Sequence, residues 1–592
     1  MIKFFKSNLF FFIFLFLVGF AVYGKSVNFG ITNLDDNTLV TRNTDYLSDI
    51  KNIPSLFFTD CYLTKDTQYY RPVLSVSFAL ETALFKNSLK IYHTANIVLF
   101  ILSLISIFIF LSKLNFNDSV LKFLILLFAV HPVLSSIPVW LPARNDSLLT
   151  ILFVLSLLNF INYLKTDKKS YFFLYLVFFA LSLFTKETTI LLTLTYPLLC
   201  YCFNIKFTKK QFFSVFISVL CIFAFYFILR YFSVAHTDTN LYLSNWKYYL
   251  NNIIFGSMIY IEKIFYPKHI PIMLYNIKPN IFTWFISIPL FVLLAMYFAF
   301  STKEKKKTMF FALSFSFLAI LPTFALEEYV FLTHRIIIGL TGILIIIHTF
   351  LETLITSFPK TKKYLIALFL FFLMLFSFCS FMQIEKFKDS FTYWSNAYND
   401  APDYYVTCSG LAKEYSYVKD FEKAKKLSLE AINLNKNIYN CIIYAEILFF
   451  NREMELSKQI FYQLLELNKR QFSIYTNLCN IYLVEGNIEK AIECAKNAIN
   501  YSNSVINKIN TMERLAQLYA ISGNYQDSLQ ILFDLIKYSK KANYYYNIGL
   551  LYKDLNDLEK SVIYVRKASE IEPGNEDYIN LLKDIESNLS TK

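Results

Sequence analysis

About eleven long apolar segments fill the first two thirds of the chain, too many for any single soluble core to bury. The stretches 9–23, 95–111, 148–164, 171–184, 212–229, 281–300, 336–354 and 364–381 each approach the roughly 17–25 residues that cross a hydrocarbon core as a helix. Hydrophobic residues make up 56% of the chain and charged residues only 17%, which places it among multispanning membrane proteins. With 11 Gly and 14 Pro in 592 residues, the punctuation suits long helices and not a barrel of short strands. An all-α architecture is expected: a polytopic helix bundle followed by a charged, helical last third.

The net charge of +13 is unevenly spread, since 23 basic residues and 24 acidic ones lie from Asp403 onward. The surplus therefore belongs to the apolar part. There it clusters in alternate short loops: Lys3 and Lys6; Lys113; Lys165, Lys168 and Lys169; Lys206, Lys209 and Lys210; Lys303, Lys305, Lys306 and Lys307; Lys360, Lys362 and Lys363. The positive-inside rule assigns these loops, and the N-terminus, to the cytoplasm. It places outside the loop 25–92, the turns at Arg144, at Lys186-Glu187 and at His334, the segment 233–280, and everything after Phe381. The last third is then periplasmic in a bacterial inner membrane, to which the Phe, Tyr, Lys, Ile and Asn usage points, or lumenal in a eukaryotic cell. Nucleic acid is not an expected partner, because the lysines flank spans and form no single face. The nine cysteines form no CxxC pair and no Cys/His group at zinc spacing.

From Tyr404 the chain turns amphipathic and repeats itself near every 34 residues, the tetratricopeptide period. Small residues recur at Ala424, Ser457, Ala491, Ser528 and Ser561, and large ones at Tyr415, Leu448, Tyr482, Tyr519 and Tyr552. Small side chains suit the close approach of two helices in a hairpin, and large ones fill the groove beside them. Turn signals stand at Gly486-Asn487, Gly523-Asn524 and Asn556-Asp557. The expected domains are 1–382, with its first external loop at 25–92; a junction at 383–403; and an array of about five repeats at 404–592. Such an array binds protein segments and has no chemistry of its own.

Chemistry is sought where charges border apolar spans, because charge there is costly to keep. Asp35 and Asp36 follow the first span by about a dozen residues. A carboxylate at that place can take the proton of an acceptor hydroxyl. Arg71, His93, Arg144, Lys186 and Arg335 fall on the same side in the threading above, where cations would meet a phosphate on a lipid carrier. Each also fits a plainer role, as an interfacial snorkelling group, and Lys186-Glu187 can simply pair with one another at a span end. His131, His334 and Asp146 carry the same two readings.

The runs Leu34-Asp35-Asp36, Phe58-Thr59-Asp60, Tyr69-Tyr70-Arg71-Pro72-Val73 and Tyr92-His93 with Asn96 resemble the first external loop and second span of the transmembrane and tetratricopeptide-repeat O-mannosyltransferases and their bacterial relatives. His131-Pro132-Val133, Ala143-Arg144-Asn145-Asp146, Lys186-Glu187, His334-Arg335 and the junction 387–394 are similar to further stretches of that family. The resemblance implies a GT-C bundle whose active site lies in the first external loop. It implies a polyprenyl-phosphate-linked sugar as donor, Asp35 or Asp36 as the acidic catalytic residue with Asp36 preferred, and Arg71, His93, Arg144, Lys186 and Arg335 near the donor phosphate. Ile336-Ile337-Ile338 replaces the family's Leu-Pro-Ser, and Cys61-Tyr62 its aromatic-Gly. The expected activity is transfer of a hexose such as mannose to hydroxyls of translocated proteins held by the repeats at 404–592. No nucleotide is required, and a divalent metal is left open because two adjacent carboxylates make no defined cage. Two other readings stand beside it: a non-catalytic membrane-anchored scaffold for an envelope complex, and a lipid-linked glycan ligase or polymerase.

Overall fold

The computed structural model describes residues 2–64, 67–235, 246–275, 279–324, 330–331 and 333–590. Its contacts divide into two units, Met1–Tyr62 with Thr67–Thr407, and Leu63–Asp66 with Cys408–Lys592. Both are helical. Among the described residues, the strands are β1 (Leu274–Tyr275) and β2 (Val330–Phe331), an antiparallel pair of two residues each.

The first unit runs through α1 (Ile2–Tyr23), α2 (Pro72–Phe85), α3 (Leu89–Lys113), α4 (Asp118–Ala129), α5 (Arg144–Thr166), α6 (Lys169–Thr185), α7 (Thr195–Cys202), α8 (Lys209–Ser233), α9 (Trp246–Phe265), α10 (Ile281–Phe300), α11 (Lys303–Phe324), α12 (Ile337–Ser357), α13 (Lys362–Ile384) and α14 (Ser390–Asp400). Local chemistry sets the starts of these helices. Thr208 and Gln211 close a reciprocal capping box at the head of α8, and Asn280 accepts from the Thr283 amide at the head of α10. Among the described residues, eight helices are long and apolar enough to cross a membrane, or nine if the bent pair 118–129 and 132–139 is one span. That is fewer than the eleven expected, because several apolar segments fold as shorter pieces: Pro72–Phe85, Lys169–Thr185 and Thr189–Cys202 have 10–17 residues each. The bend of 58° follows from Pro132, which cannot continue a helix, and from His131, whose Nδ1 accepts from the Val133 amide instead. Long apolar windows in α3 and in the 333–357 segment are 67% and 61% buried, whereas those of α8, α10 and the 359–387 segment are 11%, 11% and 6% buried. The former make the core of the bundle, and the latter turn apolar faces outward, as helices bordering lipid do.

The second unit is five helical hairpins and a closing helix. They are α15 (Tyr405–Tyr417) with α16 (Phe421–Leu434), α17 (Ile438–Phe450) with α18 (Met454–Leu467), α19 (Phe472–Val484) with α20 (Ile488–Tyr501), α21 (Val505–Ile521) with α22 (Tyr525–Tyr538), α23 (Ala542–Asp554) with α24 (Leu558–Ile571), and then α25 (Glu576–Ser590). The small residues expected at the close approach are buried: Ala424, Ser457, Ala491, Ser528 and Ser561 are at most 1% exposed. Where that residue is serine, its hydroxyl donates to the carbonyl twelve residues back, Ser457 to Ala445, Ser528 to Ala516 and Ser561 to Gly549, at 2.7–2.8 Å. Polar side chains are thus tolerated in a dry seam because each is satisfied. All five hairpin turns pass through left-handed backbone, at Lys419, Arg452, Gly486, Gly523 and Asn556. Glycine occupies only two of these positions.

Candidate functional site

The loop after α1 folds back through one-turn helices, and this local structure separates the two neighbouring acids. Asp36 is 1% exposed and turned inward. Its carboxylate accepts from the Thr32 amide at 2.6 Å, the Thr32 hydroxyl at 3.1 Å and the Asn37 amide at 3.1 Å, which closes the turn 32–37. Burial raises its pKa to about 6 against those hydrogen bonds. Thr32 in turn accepts from Trp140 Nε1 at 3.2 Å, and the Trp140 ring packs on His334 at 5.0 Å.

Asp35 faces other partners. The Tyr62 hydroxyl hydrogen-bonds its carboxylate, and Arg71 and Arg335 act on it electrostatically. Desolvation still holds the carboxyl above its ordinary range, with Tyr62 and the two guanidiniums pulling the other way. Tyr393 of α14 is buried beside both acids, and the Gly30 amide donates to the Lys388 carbonyl at 2.8 Å, so the junction segment backs this loop.

The cations divide as well. Arg71 makes a two-pronged pair with Glu187, Nη2 to Oε1 at 2.8 Å and Nε to Oε2 at 3.2 Å, and lies over the Tyr69 ring. Glu187 is driven to about 2, the Arg71 charge and hydrogen bonds outweighing burial. Lys186 donates to Asp146 Oδ1 at 2.7 Å, with Arg71 and Arg335 as its cationic neighbours. Lys186 and Glu187 therefore do not pair with one another. Lys186 has extended backbone (φ −158°, ψ 134°) while Glu187 begins the turn that enters the next helix, so the chain changes conformation between the two. Arg335 is half-buried and has no ion pair or hydrogen bond among the described residues.

Arg144 stands apart from this cluster. It is fully buried at the head of α5, donating to Asn96 Oδ1 at 2.7 Å and the Tyr92 carbonyl at 3.0 Å, paired with Glu81 at 2.9 Å and lying over Phe78. His93 is buried against the backbone of Gly30 and Val139, with no hydrogen bond of good geometry to either ring nitrogen among the described residues. His131 bridges to the Ile264 carbonyl at 2.9 Å, a packing role. The structure thus gathers Asp35, Arg71, Lys186 and Arg335 with Glu187, Asp146, His334 and Tyr62, and leaves Asp36, His93 and Arg144 in supporting networks. Tyr62 and the Arg71–Glu187 pairing were not singled out from sequence, since neither lies at a spacing that any helix or strand period connects. Among the described residues, no group of three or more His, Cys, Asp or Glu could hold a metal ion.

Residues 542–575 match the profile of the tetratricopeptide repeat. No curated protein matches the chain. Among solved structures, the chain is similar to YrrB, described as a TPR protein with an unusual peptide-binding site, at 16% identity over 32% of this chain and 97% of that one, with a TM-score of 0.27. A thermophilic TPR protein of Thermus thermophilus is 14% identical over 31% and 98%, TM-score 0.24. PilF of Pseudomonas aeruginosa is 15% identical over 32% and 86%, TM-score 0.27. The hairpins of the second unit and the matched repeat indicate a protein-binding scaffold role for that part.

Proposed function

We propose that the protein is a membrane glycosyltransferase that moves a hexose from a polyprenyl-phosphate donor to a hydroxyl of a translocated protein, with the repeats holding the acceptor. The observation that carries this reading is that the Asp35 carboxylate accepts a hydrogen bond from Tyr62 and lies within electrostatic reach of Arg71 and Arg335. A carboxylate there takes the proton of the acceptor hydroxyl as its oxygen attacks the sugar's anomeric carbon. The bond from that carbon to the phosphate oxygen breaks, and the lipid phosphate leaves with the electron pair. Charge develops on the phosphate, where Arg335 can bind it directly and Arg71 and Lys186 stabilise it from their ion pairs. In this reading Asp35, not Asp36, is the base, because Asp36 is 1% exposed and its carboxylate already closes the turn by accepting from Thr32 and Asn37. His93 and Arg144 act as positioning residues, holding α3 and α5 of the bundle around the loop.

The test is transfer of label from a polyprenyl-phosphate hexose to acceptor protein by the full chain in lipid. Asp35→Asn is expected to lower the rate by about 10²–10⁴, the usual contribution of a general base. Equal labelling by wild type and Asp35→Asn would defeat the proposal. The scaffold reading, which the repeats support without the acid and its cations, predicts that Asp35→Asn changes nothing while loss of the array abolishes function. If label passes to a lipid-linked glycan and not to protein, the ligase reading replaces the first.

A further inference from the structure

A second group of buried charges takes no part in the site described above. The last turn of α9, the loop 269–274, the head of α10 and the end of α14 enclose a polar cavity of about 160 Å³. Glu262, Lys263, Thr283 and Asp400 line it. Glu262 is 3% exposed and Thr283 1%, and only 5% of the Asp400 side chain is open. Lys263 donates to Glu262 Oε1 at 2.8 Å, and the Thr283 hydroxyl donates to Oε2 at 2.6 Å. Asp400 accepts from the Ile272 amide at 2.7 Å and meets His269 Nε2 at 2.9 Å.

Stability alone is a poor reason for these charges. The attraction within a buried pair such as Glu262 and Lys263 does little more than offset the hydration both have lost. Asp400 ends α14, where the helix dipole disfavours a carboxylate. Together the groups supply mixed hydrogen-bonding capacity in a small space. Each carboxylate oxygen keeps a lone pair beyond the partner just named, and Lys263 has N–H groups beyond the one it gives to Glu262.

Size and charge narrow what such a place can take. The cavity is smaller than the roughly 300–1,000 Å³ of ordinary ligand clefts. It is close to the ~150 Å³ that admits one six-membered ring. A cation would meet the Lys263 ammonium, and a phosphate would meet two carboxylates. A neutral ring bearing hydroxyls meets neither objection, since each hydroxyl donates to a carboxylate while accepting from an ammonium. We propose that this cavity holds the pyranose ring of a neutral glycoside, its hydroxyls bonded to Glu262, Asp400 and Lys263. Ile259 and Leu274 offer the apolar wall that the C–H face of such a ring needs. The site requires binding alone and does not rest on the transferase reading.

The probes are methyl α-mannopyranoside and methyl α-glucopyranoside, offered to the full chain in phosphatidylcholine nanodiscs, whose headgroup carries no hydroxyl to compete. Saturation-transfer NMR is expected to show the ring protons of at least one of them in contact with protein. Glu262→Gln, which keeps the length and removes the charge, should weaken that binding about tenfold or more, the loss of one charge-assisted hydrogen bond. Leu274→Trp should fill the cavity and remove the signal, and it carries the test where Glu262→Gln fails to fold. Leu368→Trp, on the exposed face of α13, should change nothing. Displacement by a threonine peptide bearing one O-linked hexose would assign the glycoside to protein, and displacement by a hexose disaccharide would assign it to a glycan. Displacement by neither, no saturation transfer, or a signal indifferent to both cavity variants would overturn the proposal. So would hexose 1-phosphate or methylammonium binding as well as the glycosides do. Glycoside binding without sugar transfer would sink the enzymatic reading alone, and transfer by a chain that binds no glycoside here would sink this site alone.

Discussion

In the first unit Lys186 meets Asp146 at 2.7 Å with 2% of the aspartate side chain exposed, whereas in the repeats Lys537 meets Asp534 at 2.6 Å with 73% of the lysine exposed. The contact lengths are nearly equal, but the surroundings are not. The repeat pair is spaced three residues apart on one helix and screened by water, so it adds little to stability. The buried pair joins elements forty residues apart, and each charge there depends on the other to offset its lost hydration. Arg144 with Glu81 belongs to the same class and Arg71 with Glu187 lies between, its arginine largely covered and its carboxylate a third exposed, while Lys423 with Asp420 and Lys560 with Asp557 belong to the exposed one. An ion pair's length therefore says less about its role than what the alternative to it would be.

The sharpest way to break this contrast is Asp146→Ala, which leaves Lys186 buried and unpaired. It should cost about 3–5 kcal/mol. Thermal unfolding in detergent reads the loss, and the double change Asp146→Leu with Lys186→Met should recover most of it. If the single variant unfolds like wild type, the cluster is wetter than its burial indicates.

A second prediction concerns pH. The folded-state pKa of Asp36 is raised from 3.8 to about 6, so the fold favours the protonated carboxyl. This contribution is fully present below about pH 4 and is lost as pH rises through 6, a change of about 3 kcal/mol for two pKa units. Glu187 runs the opposite way: its contribution is present above its ordinary range and is lost as pH falls through about 2. Asp36→Asn should flatten the slope between pH 4 and 6, and an unchanged slope would assign it to another group.

Within the repeats the effects shrink. Gly486→Ala or Gly523→Ala places a Cβ on left-handed backbone and should cost about 1–2 kcal/mol in denaturant unfolding, although neither site is crowded. Arg452→Gly, at the equivalent turn, should be neutral or slightly stabilising, since its strain is relieved while its unfolded chain gains freedom. Smallest of all, Lys537→Ala should leave the melting temperature unchanged.

The repeats were readable because their structure is local. A period near 34 residues marks which side chains meet, and the buried Ala424, Ser457, Ala491, Ser528 and Ser561 lie where that period placed them. The turns at Lys419 and Arg452 were not readable, because a non-glycine residue gives no sign of the left-handed backbone it adopts there. In the apolar part, length and hydropathy marked the helices, yet the count of full-length spans came out lower because Pro72–Phe85, Lys169–Thr185 and Thr189–Cys202 are each shorter than a full span. The candidate cations were recognisable as charges at the edges of apolar stretches. Their partners were not, since Arg71 and Glu187 lie 116 residues apart.

Composition and periodicity alone settled that this chain is helical, apolar in its first two thirds and repetitive in its last third, because both properties are carried by neighbours a few residues apart. Which acid of an adjacent pair faces the cations, and which carboxylate each cation chose, was left to the tertiary structure. Those choices depend on where distant segments fold back and on how two successive side chains diverge from one backbone, quantities that no local pattern encodes.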